Sequence, residues 1–238
     1  MRRFYALLLL IVSIVSLGFC SEMEFSFLEN LAEAVPGEFI VTLYGKTYTL
    51  FHIRSKSDRH IIVEEVSTPK FGNGIVWRSW FEQGAPKHTS WIVYSINLDT
   101  GKMDECYSLS NNSWLDVSYA DIFLSTLMTL KFSPVSERER RRLGPQSCEG
   151  VDHRSYWNPK MVVDGEVIPK ILFDAWKSLW PDDGTELARK EIEVYLPRDN
   201  QNYCDYFPYW LQISNSFGRA TVRIVDSGKG LSFPHEEF

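Results

Sequence analysis

Beyond residue 17 the sequence holds no apolar run near the ~20 residues that carry a helix across a bilayer, so the remainder reads as a soluble domain. Positive charge is scarce as well: 25 Lys and Arg stand against 31 Asp and Glu, for a net charge of −6. A surface of that sign excludes nucleic acid as a natural partner, because phosphate binding needs a basic field. It is also weakly repelled by an anionic membrane. Cysteine is sparse, with Cys20, Cys106, Cys148 and Cys204 and no CxxC pair. GxSxG, HExxH, the P-loop and the dinucleotide fingerprint are all missing. His52, His60, His88, His153 and His235 are scattered without ligand spacing. The acidic pairs Glu64-Glu65 and Asp182-Asp183 read as a solvated edge and turn, because neighbours on a strand point opposite ways. These absences leave no catalytic residue, metal or cofactor to name. They point away from an enzyme, while a hydrolase assembled from separate loops stays open as the least supported reading.

What is present begins at the N-terminus. Met-Arg-Arg is followed by the apolar Phe4–Leu17, then small residues, Cys20 and the acids Glu22 and Glu24. That order is the charged, apolar and cleavage regions of a bacterial secretory signal, which predicts export to the periplasm or outer membrane. Residues 1–20 are expected to be the signal peptide and residues 21–238 one domain. Cys20 is either the lipidated first residue of the mature chain or the last residue of a discarded peptide. The bulky Phe19 before it favours discarding. An oxidising compartment would permit one disulfide among Cys106, Cys148 and Cys204.

Along the mature chain, Phe25, Leu28 and Leu31 at spacings of three predict a short helix stopped by Pro36-Gly37. GEFIVTLY, KTYTLFHI, RHIIVEEVS, IVWRSWFEQ, HTSWIVYSIN and KMDECYSL then predict six strands in an antiparallel meander. YADIFLSTLMTLKF, with Ile122, Phe123, Leu127 and Leu130 on one face, predicts a helix. SERERRRLG predicts another, capped by Ser136 and stopped at Gly144, with a charged face that reads as solvated before it reads as a dock for an acidic partner. Asp164-Gly165 predicts a tight hairpin, and KEIEVYLP, FPYWLQIS and RATVRIVDSG complete a second antiparallel series. The fold class expected is α+β, a curved antiparallel sheet or open half-barrel with a helical insertion covering one face.

Eight tryptophans supply the strongest lead. Read as strand, WRSWF carries bulky groups on both faces, so helices must cover the second face or it must enclose something greasy. Trp77, Trp80, Phe81, Trp91, Tyr94, Phe123, Leu127 and Trp210 are the candidate cleft lining, with ordinary core packing as the alternative for each.

The order of elements behind a signal peptide, carried by GEFIVTLYGKTYTLFHIRS, IVYSINLDTGKMDECYSL, IFLSTLMTL and RATVRIVDSG, resembles the bacterial lipoprotein-carrier (LolA/LolB-like) superfamily. The resemblance implies an unclosed antiparallel half-barrel covered by helices, with acyl chains held between. It also makes Arg54 the nearest match to the arginine associated with cargo release in those carriers. The ending, WPDDGTELARKEIEVYLP and FPYWLQIS, is more elaborate than theirs. The function expected is that of an exported, non-enzymatic envelope protein binding lipid or a lipidated partner. An envelope protein-interaction module with a filled core is the alternative.

Overall fold

The computed structural model describes residues 24–69, 74–117, 122–145, 152–198, 202–215 and 218–234. The expected secretory signal, Cys20 and Cys148 lie outside them. Among the described residues no helix is long and apolar enough to cross a membrane.

Helix α1 (Phe27–Glu33) buries Phe27 and Leu31 and ends at Ala34, before a turn in which Gly37 takes φ 90°. Strand β1 (Phe39–Tyr44) turns through Gly45 into β2 (Thr47–Lys56), which pairs with β3 (His60–Pro69). A short helix, α2 (Trp77–Glu82), precedes β4 (Ser90–Asn97), β5 (Met103–Ser108) and the two-residue β6 (Ser113–Trp114). Helix α3 (Ile122–Thr129) leads to β7 (Ser133–Pro134) and the hairpin β8 (Met161–Val163) and β9 (Glu166–Ile168). Then follow β10 (Phe173–Leu179), β11 (Glu191–Pro197), β12 (Trp210–Asn215) and β13 (Gly218–Gly228).

Eleven of these strands form one curved, unclosed antiparallel sheet in the order β6-β5-β4-β3-β2-β1-β13-β12-β11-β10-β7. The chain starts at the centre with β1 and walks out to β6. It then crosses to the far edge at β7 and walks back until β13 pairs with β1. The crossing segment cannot pass through the sheet, so it passes over one face, and α3 lies on it. This topology creates the covered space described below.

Each face carries its own core. Phe27 and Leu31 of α1 and Leu127 and Met128 of α3 pack on Ile40, Ile53, Val63 and Tyr94 of the sheet. The opposite face carries α2, whose Trp77, Trp80 and Phe81 pack on Phe39, Val41, Leu50, Val66 and Trp91. The register accounts for the division, since Val41, Leu50, Val66 and Trp91 lie directly opposite one another across four strands and so share a face.

Several sequence expectations are corrected. The WRSWF segment is helix rather than strand. Trp77, Trp80 and Phe81 stand at i, i+3 and i+4, which puts all three on one helical face and buries them together. The SERERRRLG segment makes one turn and stops. The Ser136 hydroxyl donates to the Glu139 carboxylate at 2.9 Å rather than capping a backbone N–H, and Arg140 and Arg142 are drawn off to the carbonyls of Phe173, Asp152 and Arg154. Cys106 and Cys204 are buried free thiols, so no disulfide joins them. The Asp164-Gly165 hairpin forms as expected, with both residues at positive φ, 48° and 80°.

Candidate functional site: an apolar cleft with one carboxyl

A cleft of about 500 Å³ lies between the sheet and the crossing segment, within the ~300–1,000 Å³ typical of ligand pockets. Cross-strand neighbours build its floor. Tyr44, Val222 and Leu211 lie opposite one another across β1, β13 and β12, with Ala220 opposite Ile213 one step along. Farther across, Phe51, Glu65 and Ile92 form another row over β2, β3 and β4. Phe123 and Leu124 of α3, Leu187 of the β10–β11 loop and Phe207 supply the roof and walls. Two ring contacts brace them, Phe51 stacked on Phe207 at 5.6 Å and Phe123 stacked on Trp180 at 5.5 Å.

The lining is apolar except at Thr42, Tyr44 and Glu65. The Thr42 hydroxyl donates to the carbonyl of Thr49 at 3.2 Å, and Tyr44 stands at the mouth, 59% exposed. Glu65 is different. Protein surrounds its carboxyl, and the surface it keeps opens onto the cleft. The Tyr94 hydroxyl donates to Oε2 over a long 3.5 Å. Desolvation outweighs that donor and pushes the carboxyl up from 4.5 to about 7. The Cys106 thiol is raised by its own burial and by the Glu65 charge. Beyond Phe51, Phe207 and Leu124 lies a separate small void of about 20 Å³, reaching Leu31, Tyr94 and Met128.

Of the eight side chains expected to line a cleft, Phe123 does so. Trp77, Trp80, Phe81 and Trp91 fill the core on the opposite face. Tyr94 and Leu127 are buried behind the cleft, where Tyr94 reaches Glu65. Trp210 is half-buried against Trp157, with ring centroids 4.9 Å apart, beside a separate groove that includes Lys160 and Arg223. Arg54 lies away from the cleft, 3.6 Å from Glu64 and 4.0 Å over the Phe233 ring.

The acidic pair Glu64-Glu65 was expected at a solvated edge; instead Glu64 is fully buried and Glu65 half-buried. Its neighbours point opposite ways, Glu65 into the cleft and Glu64 into the α2-side core, where it is 0% exposed. There Glu64 Oε2 lies 2.9 Å from His52 Nδ1, and His52 Nε2 lies 3.1 Å from the Leu231 carbonyl. This His–acid pair is sealed beneath the C-terminal segment, out of reach of a substrate in this conformation. The missed lining residues Leu211, Ala220 and Val222 do alternate along β12 and β13, but the strand that joins them to the rest of the floor is β1, far away in sequence, through Tyr44 opposite Val222.

A family model described as CT021 protein matches residues 49–169, just over half of the chain. The chain belongs to the CT021 protein family. That match runs from β2 through β9 and takes in Phe51, Glu65, Ile92, Phe123 and Leu124 of the cleft. The 2.0 Å structure of the hypothetical protein CT021 from Chlamydia trachomatis is similar throughout, with a TM-score of 0.64 over 91% of this chain and 99% of that one. At 18% identity the likeness shows a shared fold alone. No curated protein matches the chain.

Proposed function

We propose that this CT021-family protein is an exported, non-enzymatic envelope protein that holds the acyl chain of a lipid or lipidated partner in the cleft between the sheet and α3. The observation that carries the reading is the apolar cleft of about 500 Å³, whose floor is a continuous register of Val222, Leu211, Ile213 and Ala220. On this reading the sheet is an open half-barrel with the helical crossing as its cover, as the resemblance to lipoprotein carriers implies. Burying an alkyl chain gains roughly 0.8 kcal/mol per methylene. A binding site of this kind therefore needs no catalytic motif.

Dodecanol, an uncharged twelve-carbon chain, tests the cleft by itself. Delipidated protein is expected to take it up with one-to-one stoichiometry in isothermal titration calorimetry. Ala220→Trp, which fills the floor, is expected to abolish uptake while leaving the fold intact by circular dichroism. No uptake by the wild-type protein, or undiminished uptake by the variant, overturns the reading.

A further inference from the structure

We infer that the polar end of the cleft's ligand is a hydrogen-bond donor, an ammonium, hydroxyl or amide N–H that meets Glu65, and that the cleft discriminates against a free carboxylate. The inference rests on the acyl-chain reading and deepens it. Glu65 sits in the row Phe51–Glu65–Ile92, with an apolar neighbour directly across on either side. Thr42 has its hydroxyl committed to Thr49, and Tyr44 belongs to the exposed mouth. The one charged acceptor that the lining offers to a bound chain is therefore the Glu65 carboxyl.

Among the described residues Glu65 has no ion-pair partner. His52 and Arg54, on the neighbouring strand β2, pair with Glu64 on the other face. The groups facing Glu65 from adjoining strands are the Tyr94 hydroxyl and the Cys106 thiol, neither of them a cation. A carboxylate ligand would place a second anion beside a desolvated carboxyl that no cation faces among the described residues, which is strongly unfavourable. A donor supplies what the site lacks. Burial already holds the carboxyl up to about 7, and an ammonium beside it would offset that desolvation.

The test compares three twelve-carbon probes of equal length, dodecylamine, dodecanol and dodecanoate, each below its micellar concentration at pH 8. Dodecylamine is expected to bind wild-type protein at least about tenfold more tightly than dodecanoate, the direction electrostatic complementarity demands. In Glu65→Gln the ratio is expected to collapse to within about threefold, with dodecanol binding retained. Equal affinity of wild-type protein for amine and carboxylate overturns the inference, and needs no variant to be seen. An undiminished ratio in Glu65→Gln overturns the role of Glu65. If none of the three probes binds, the acyl-chain reading falls first, so the two failures are distinguishable.

Discussion

His52 Nδ1 lies 2.9 Å from Glu64 Oε2, in a pocket where the two residues are 2% and 0% exposed. They are cross-strand partners on β2 and β3, and the contact also reaches out of the sheet. His52 Nε2 holds the Leu231 carbonyl at 3.1 Å, while Arg54, 3.6 Å from Glu64, lies over Phe233. A buried polar group without its partner costs far more than the pair contributes, because the survivor cannot rehydrate. Glu64→Ala is expected to lower stability by about 3–5 kcal/mol, and His52→Ala by a comparable amount. The double variant is expected to lose less than the sum of the two by at least about 1 kcal/mol, as coupled neighbours do. Urea unfolding midpoints of the four proteins check it, and strict additivity would show that the two side chains act independently.

Glu65 gives the opposite face a pH signature. Its carboxyl titrates near 7 in the folded protein and ordinarily at 4.5, so between those values the folded state binds the proton that the unfolded state has released. The stabilisation from that proton is complete below about 4.5 and is lost as pH rises through about 7. Relative to Glu65→Gln, wild-type protein is expected to lose on the order of 2–3 kcal/mol between pH 4.5 and pH 8. Glu29, Glu139 and Asp183, all lowered by hydrogen bonds, act in the opposite sense at acid pH, but they are common to both proteins and cancel in the difference. Denaturant titrations at pH 5 and pH 8 check it; a wild-type minus variant difference that stays flat would place the carboxyl in solvent.

How far the molecule was legible depended on how local the signal was. The turns at Gly45 and at Asp164-Gly165 were readable because positive φ demands Gly or Asp there, and the strands flanking them followed. Trp77, Trp80 and Phe81 were readable too, since their spacing is helical, but alternation was the wrong period to apply to them. The crossover that sets β13 beside β1 carries no local mark. It pairs Tyr44 with Val222, and that pairing builds half of the cleft floor. Glu65 was misread for the same reason, since its burial is decided by Phe51 and Ile92 opposite and by α3 above, none of them its neighbour in sequence.

Gly101, in the β4–β5 turn, has φ 70°, and a Cβ there would come within 2.6 Å of Thr129 Cγ2 and 3.5 Å of Leu28 Cδ2. The turn thus docks directly on α3 and α1. Gly84 has a similar φ of 81° with open space around it. Both Gly→Ala changes carry the backbone strain of about 1 kcal/mol or more, but Gly101→Ala must also push on α1 and on α3, which roofs the cleft. Gly101→Ala is expected to lower Tm by several degrees more than Gly84→Ala, at about 2–4 °C per kcal/mol for a chain of this size. Thermal unfolding followed by circular dichroism checks the ordering, and equal shifts would mean that Thr129 and Leu28 yield freely.

Phe207 decides where the cleft ends. Its ring stacks on Phe51 at 5.6 Å, and both rings line the main cleft as well as the small void of about 20 Å³ on the far side, which Leu31 and Met128 close. Removing the Phe207 ring opens one space into the other, whereas a change at the Tyr44 mouth leaves the depth as it is. Core truncations of this kind typically cost about 3–5 kcal/mol when the site cannot collapse, and less where the side chain already borders a cavity. Phe207→Ala is therefore expected to fold with reduced stability and to shift its preference toward longer chains. Each added methylene that enters the joined space gains up to about 0.8 kcal/mol, near fourfold in affinity. Wild-type protein is expected to stop gaining affinity along a series of alcohols from eight to sixteen carbons sooner than the variant does. A plateau at the same chain length in both proteins would show that the chain runs toward α3 and the β10–β11 loop instead of toward Phe207.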